Sequence, residues 1–155
     1  MKRISFAMGA AVLLAASCAG GASAGPAVHK ASGGGTVDWP GGRVTYGFNA
    51  QVDAAGAAKG EAEFQFRDVG VKLHVEIDCL TVAGNDAWLS GTIRTSDDAS
   101  LVGQEILWRV EDNGEGPAAP SDRTSTVVLG VARGACATMP TLGMVPWTNG
   151  NVQVR

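Results

Sequence analysis

The stretch "RVTYGFNAQVDAAGAAKGEAEFQFR" (residues 43–67) decides the fold. Apolar and polar side chains alternate along both of its halves, and a period of two is typical of half-buried β-strands. The alternation predicts strands at residues 43–53 and 57–67, joined by a three-residue hairpin loop. That loop length places Tyr46 opposite Phe64, so that aromatic side chains share one face of the sheet.

The same alternation extends along most of the chain, and no helical period competes with it. We predict an all-β fold, an antiparallel meander of 7–8 strands that forms a small barrel or a two-layer sandwich. Residues 130–149 show no clean period and are left unassigned. The further predicted strands are residues 36–39, 71–83, a strand after residue 86, 104–111, 123–129 and 150–155.

The hairpin that follows the strand at 71–83 has two alternative loops. A three-residue loop at residues 84–86 would keep the apolar side chains of both strands on one face, and we therefore predict it. This register sets Ile93 opposite Ile77 and Gly91 opposite Cys79. It turns Cys79 inward and leaves room beside Gly91 for another side chain.

Two cysteines, Cys79 and Cys136, lie beyond the N-terminal region. An even pair in an oxidising compartment predicts one disulfide bond, and we expect Cys79 and Cys136 to form it. The alternative is a pair of buried, unpaired thiols.

The N-terminus has the pattern of a bacterial secretory signal. Lys2 and Arg3 precede an apolar run over residues 4–16, which is shorter than the ~20 residues of a membrane-spanning helix. We predict a signal peptide at 1–24, a flexible linker at 25–33 and a single all-β domain at 34–155.

Two processing routes fit this signal. Cleavage after Ala22-Ser23-Ala24 would release the protein to the periplasm or the medium. The segment Ala15-Ala16-Ser17-Cys18 is also close to a lipoprotein motif, in which Cys18 would be acylated and would tether the protein to the cell surface. Export is the expectation on either route.

Charge excludes one class of partner. The 155 residues contain 12 Lys and Arg against 15 Asp and Glu, for a net charge of −3, and the basic residues are scattered. Binding to a nucleic-acid backbone needs clustered positive charge, so we expect no nucleic-acid partner. The expected partners are an unknown protein, a glycan or a small apolar ligand, with membrane contact only through a lipid anchor.

One loop collects oxygen-bearing side chains at Asp112, Asn113, Glu115 and Asp122. Calcium takes six to eight oxygen ligands from flexible loops, so a weak calcium site is one interpretation. The spacing differs from the known calcium-loop motif, and Asn113-Gly114 is also a plain turn signal. A solvated hairpin loop, or a surface for a partner, is the alternative.

Trp88 is predicted to point outward, where an exposed ring could stack on a sugar or meet a partner surface, or else cover a neighbouring side chain. His74, Glu76 and Asp78 alternate on the outward side of one strand and are interpreted as an exposed polar face rather than as a metal site. The two histidines, His29 and His74, have no nucleophile motif around them, so no catalytic residue is assigned.

Four segments carry a family resemblance: "RVTYGFNAQ" (43–51), "LTVAGNDAWLSGTI" (80–93), "VEDNGEG" (110–116) and the terminal "GNVQVR" (150–155). In this order they resemble the post-COAP family of small secreted bacterial β domains. The resemblance covers about residues 33–130 and the last six residues. It implies export and a β fold, and it implies no activity, cofactor or site.

These observations predict a secreted or surface-tethered β domain with a non-enzymatic binding or structural role. The alternative is a carrier of a small apolar ligand, since small inward residues could leave a cavity inside a barrel. A secreted hydrolase with paired carboxylates is the third hypothesis. The small inward residues are Ala50, Ala58, Gly60, Ala62 and Gly91.

Overall fold

The computed structural model describes residues 26–155, and the predicted signal peptide and Cys18 lie outside them. The all-β prediction is confirmed: the described residues form ten antiparallel strands in one sheet, in meander order, that curls as a half-barrel. Curling lets one face of a wide sheet surround its own core, so a second layer is not required.

The strands follow one another around the sheet in the order β10-β1-β2-β3-β4-β5-β6-β7-β9, with β8 paired to β6. The strands are β1 (Ala27–Trp39), β2 (Gly42–Asp53), β3 (Ala58–Phe66), β4 (Val71–Ala83), β5 (Asp86–Ser96), β6 (Glu105–Glu111), β7 (Arg123–Ser125), β8 (Val128–Leu129), β9 (Met144–Pro146) and β10 (Asn149–Val154). Two short 3-10 turns lie at Ala99–Leu101 and Ala135–Thr138.

The central hairpin has the predicted register. Tyr46 pairs with Phe64 and Phe48 with Ala62, and a four-residue turn joins β3 to β4. The inward side chains of these strands build the main core together with two tryptophans, Trp108 and Trp147. Burying rings of this size supplies much of the apolar stabilisation of a small domain.

The flexible linker predicted at 25–33 is wrong from residue 27 onward, because β1 begins at Ala27. Ala31 is fully buried and pairs with Ala50 on one side and Val154 on the other. Because residues 33–35 are all glycine, this part of the strand lacks the alternation of apolar and polar side chains from which a strand is predicted. A Cβ at Gly35 would lie only 2.1 Å from the carbonyl oxygen of Asn149, so close strand packing, and not flexibility, explains glycine there.

The three-residue loop predicted at 84–86 is also wrong. Ala83 pairs with Asp86 across a two-residue turn, and Leu80 pairs with Leu89. A bulge at Asp78, between the pairs Ile77–Gly91 and Cys79–Ser90, then returns both strands to a common inner face.

The bulge reverses the face on which Cys79 lies, whereas Gly91 stays on its predicted inner face. Cys79 pairs with Ser90 on the outer side of the sheet, and Gly91 lies opposite Ile77. A Cβ on Gly91 would lie 2.2 Å from the carbonyl oxygen of Glu76, so the backbone itself occupies the room that we expected for a disulfide.

A second, smaller core covers the outer face of β4–β6. Residues 130–143, here called the flap, cross this face and bury Trp88 and Leu107. The predicted disulfide between Cys79 and Cys136 is present and fixes the flap to β4. The first part of the unassigned segment 130–149 thus forms a covering layer with one short 3-10 turn, and the second part contains β9.

Candidate functional site

The predicted calcium loop faces the last strand. Asp122 is buried, and its two carboxylate oxygens accept hydrogen bonds from the backbone nitrogens of Asn113 and Val152. Asp112 accepts from the backbone nitrogens of Gly114 and Val154. These carboxylates therefore serve as acceptors for an edge strand.

The other two loop residues make similar contacts. The side-chain amide of Asn113 donates to the carbonyl oxygen of Ser121, and Glu115 accepts from Asn151 at 2.9 Å. Across residues 26–155, no group of three or more His, Cys, Asp or Glu side chains is arranged to hold a metal ion. The geometry gives no support to the calcium interpretation.

Trp88 lies on the outer face, as expected from its alternation, but only 7% of it is exposed. Its indole nitrogen donates to the carbonyl oxygen of Pro140 in the flap, and the guanidinium of Arg109 lies 4.9 Å from the ring centroid. While the flap is in place, this ring is not accessible to a sugar or a partner.

The outward residues of β4 are engaged with neighbouring strands. His74 lies 3.8 Å from Glu63, and Glu76 accepts a hydrogen bond from Arg94 at 2.6 Å. The Arg94 guanidinium lowers the pKa of Glu76. A polar concavity of about 580 Å³ is lined in part by His74 and Glu63. These contacts are those of a polar outer sheet face.

Asp78 of β4 and Glu105 of β6 interact electrostatically, and Asp78 contacts the flap. Burial raises the pKa of Asp78, and the nearby charge of Glu105 raises it further. Both Asp78 oxygens and one Glu105 oxygen are buried without a hydrogen-bond partner, although Arg133 of the flap lies 2.9 Å from Asp78. Asp78 and Glu105 are the pair that the hydrolase hypothesis could use, but neither residue lines a described concavity of the surface.

The strongest candidate site is an open cleft of about 330 Å³ at one end of the half-barrel. Antiparallel order brings the β1–β2 turn, the β3–β4 turn and the segment between β7 and β8 to this end. We call it the aromatic cleft. It is lined by Trp39, Pro40, Gly41, Gly42, Arg43, Val44, Tyr46, Phe64, Phe66, Asp68, Val69, Ser125, Thr126 and Val127.

Tyr46 and Phe64 form the floor of the aromatic cleft. The Tyr46 and Phe64 rings are stacked with centroids 4.9 Å apart, and the Tyr46 hydroxyl donates a hydrogen bond to Thr124. Burial raises the pKa of Tyr46, so its hydroxyl is neutral. Hydrogen bonding and stacking therefore hold this floor in one conformation.

The rim of the cleft combines an apolar tip with paired charges. Val69, in the β3–β4 turn, is 71% exposed, the highest value among the large apolar residues that stand out from the surface. Arg43 forms an ion pair with Asp38, and its backbone nitrogen donates to Asp68. An exposed apolar side chain beside an aromatic floor is a feature of binding sites.

The sequence pattern places Tyr46 and Phe64 on one face of the sheet and does not predict the cleft. Trp39 and Phe66 are the last inward residues before two turns at the same end of the sheet. Hairpin alternation alone could have placed these turns together, and the exposed valine in "RDVG" (67–70) could have marked the rim.

Comparison with known proteins identifies no relative of this chain. Over the described residues, the structure contains no helix long and apolar enough to cross a bilayer. No family model matches the chain, and no curated protein or solved structure matches it. The resemblance to the post-COAP family therefore stays a prediction, and the argument for function depends on the aromatic cleft.

Proposed function

We propose that this chain is a non-enzymatic binding domain that acts outside the cytoplasm and takes a small apolar ligand in the aromatic cleft. The observation that carries the proposal is the cleft itself, about 330 Å³ of open space above stacked rings. Small-molecule sites are concave, mostly apolar and largely preformed, and this volume is near the lower end of their range.

The filled interior supports a ligand at the barrel end rather than inside it. Phe48 and Trp108 approach edge to face at 6.3 Å, and Trp147 packs on Tyr46 at 4.6 Å. These rings occupy the space that small inward residues were expected to leave. The carrier hypothesis is therefore retained in a modified form, with an open site.

Two other functions are less well supported. Loop 112–122 directs its carboxylates to β10, which leaves fewer of its polar groups for a partner protein. The Asp78–Glu105 pair lies under Arg133 and away from the aromatic cleft, which disfavours a hydrolase.

Binding of the neutral fluorescent probe N-phenyl-1-naphthylamine, followed by amide NMR shifts, tests the proposal. We expect the shifts to map to the two turns and to residues 125–127, and Val69→Asp to weaken binding about tenfold. The matched control is Val102→Asp, which adds the same charge at another exposed valine in the β5–β6 connection. Binding that maps elsewhere, or equal effects of the two variants, would contradict the proposal.

Location is a separate part of the proposal. A disulfide between Cys79 and Cys136 suits an oxidising compartment. The intact mass of the protein from its own host tests the two routes of export: a chain that begins at Gly25 means release, and acyl groups on Cys18 mean tethering. A mass that retains residues 1–24 unmodified would contradict export.

A further inference from the structure

We infer that the aromatic cleft selects a flat, uncharged ligand of one or two rings over a linear acyl chain or an ionised molecule. The inference rests on the proposed function and names the class of ligand for the same site. Three observations carry it: the stacking of the lining rings, the blocked depth of the cleft, and the balance of charge at its rim.

The lining rings form a stack that ends at the mouth of the cleft. Phe64 is nearly parallel both to Tyr46, its partner on β2, and to Phe66, two residues along β3, with interplanar angles of 21° and 20°. Phe66 is only partly buried and lines the open space. A flat ring can continue this stack, and offset stacking favours aromatic partners beyond simple burial of area.

The depth of the cleft argues against a long alkyl chain. Below the open space, the Phe64 ring meets Trp108 edge to face at 5.2 Å, and Tyr46 is pinned by Thr124. Tyr46, Phe64 and Trp108 are all buried parts of the main core. An acyl chain needs a tunnel that extends inward, and these rings close that direction, whereas a short, flat molecule fits the remaining volume.

The rim argues for a neutral ligand. One pair of opposite charges is joined directly, since Arg43 donates to Asp38 at 2.7 Å, and Asp68 accepts from the backbone nitrogen of Arg43. Arg67 donates to the hydroxyl of Thr45 at 3.0 Å. Arg43 and Asp68 are the charged residues that line the cleft, and Asp38 and Arg67 line an adjoining concavity with them. Acidic and basic side chains are therefore equal in number, so an ionised ligand would meet no excess of opposite charge to offset the loss of its hydration.

Three probes separate these properties: 2-naphthol, 1-decanol and naphthalene-2-sulfonate. The first two are neutral with the same number of non-hydrogen atoms and differ in shape, and the third keeps the flat rings and adds a charge. Amide NMR titration at neutral pH measures both affinity and location. We expect 2-naphthol to shift the signals of the cleft residues and to bind about tenfold more tightly than either of the others.

The variant Phe66→Leu tests the stacking directly, because it keeps an apolar side chain and removes the ring face. We expect 2-naphthol to bind several-fold more weakly to this variant, with the affinity for 1-decanol unchanged. A general loss of structure would weaken the binding of both probes alike. The thermal unfolding temperature of the variant checks for that loss.

The possible outcomes separate this inference from the proposed function. If 1-decanol or the sulfonate binds in the aromatic cleft as tightly as 2-naphthol, the inference is overturned and the proposed function stands. If none of the three probes shifts a cleft residue, both are overturned. Preferential binding of 2-naphthol in the cleft, lost on Phe66→Leu, supports both.

Discussion

The buried carboxylate of Asp122 accepts a hydrogen bond from the backbone nitrogen of Val152 at 2.6 Å. Its other oxygen accepts from the backbone nitrogen of Asn113 at 2.7 Å. Asp122 immediately precedes β7, and Val152 lies on β10, at the opposite edge of the curled sheet. The side chain thus supplies an acceptor where a neighbouring strand would supply a carbonyl group, and it satisfies an edge that would otherwise remain open.

Replacing this carboxylate tests its role. In Asp122→Asn the amide has one acceptor oxygen for two backbone donors, so its nitrogen must face a backbone N–H group. We expect the free energy of unfolding to fall by roughly 1–3 kcal/mol, the usual cost of an unsatisfied buried group. Urea denaturation measures it.

Asp97→Asn is the matched control, since exposed Asp97 accepts a single backbone hydrogen bond, from Lys72. An equal loss of stability in the two variants would contradict the structural role of Asp122.

The fold was predictable where period-two alternation is unbroken, and not where backbone packing replaces it. The β2–β3 register follows from matching Tyr46 to Phe64, because a slip by one residue would expose every apolar side chain. The Gly33–Gly35 stretch carries no such signal. The bulge at Asp78 inserts one residue, and local alternation cannot distinguish that from a longer turn.

The candidate site was harder to predict, because it depends on which aromatic residues the strands leave uncovered. Alternation places both Tyr46 and Phe66 on the inner face, and only the position of Phe66 at the end of β3 leaves its ring partly uncovered. Trp88 is the opposite case. Alternation correctly predicts that it lies on the outer face, but the flap buries it there, and the flap sequence has no periodic pattern from which this could be predicted.

Removing the disulfide should loosen the flap. The bond joins residues 57 apart in sequence, so the double variant Cys79→Ala, Cys136→Ala should lose roughly 4 kcal/mol of stability on the chain-entropy model. The Trp88 indole proton, which is donated to Pro140, should then exchange faster with solvent.

The buried Trp108 indole in the main core is the internal control, and its exchange should change only as global stability falls. Reduction of the unmodified protein should reproduce the effect at Trp88. Unchanged protection of Trp88 after loss of the bond would show that packing alone holds the flap.

Adding one methyl group at Gly91 tests the register of the bulged β4–β5 hairpin. Gly91→Ala would place a Cβ 2.2 Å from the carbonyl oxygen of Glu76 and 2.8 Å from the Cα of Ile77, so the strands must separate. Overpacking of this kind costs about 1–3 kcal/mol or more. Gly47→Ala is the control, because the nearest atom to its new Cβ lies 3.7 Å away. The thermal unfolding temperature of Gly91→Ala should be well below that of Gly47→Ala. The same unfolding temperature for both variants would contradict the register.

The last prediction concerns pH and the carboxyl pair under the flap. The pKa of Asp78 is raised from 3.8, first by burial and then by the charge of Glu105. A raised carboxyl pKa means that the folded state binds the proton more tightly than the unfolded state does. Asp78 therefore contributes less stability as the pH rises from about 3.8 through its folded pKa.

The variant Asp78→Asn removes that ionisation, so its stability relative to the unmodified protein should increase between pH 4 and pH 7. The comparison must be a difference between variants, because Asp38 and Glu76, whose pKa values are lowered by hydrogen bonds from arginines, shift overall stability in the opposite direction. Glu61→Gln removes an equal charge from an exposed position on β3. Urea denaturation across this pH range measures both variants. A relative stability of Asp78→Asn that stays level or falls with pH would show that Arg133, 2.9 Å from Asp78, outweighs burial and the charge of Glu105.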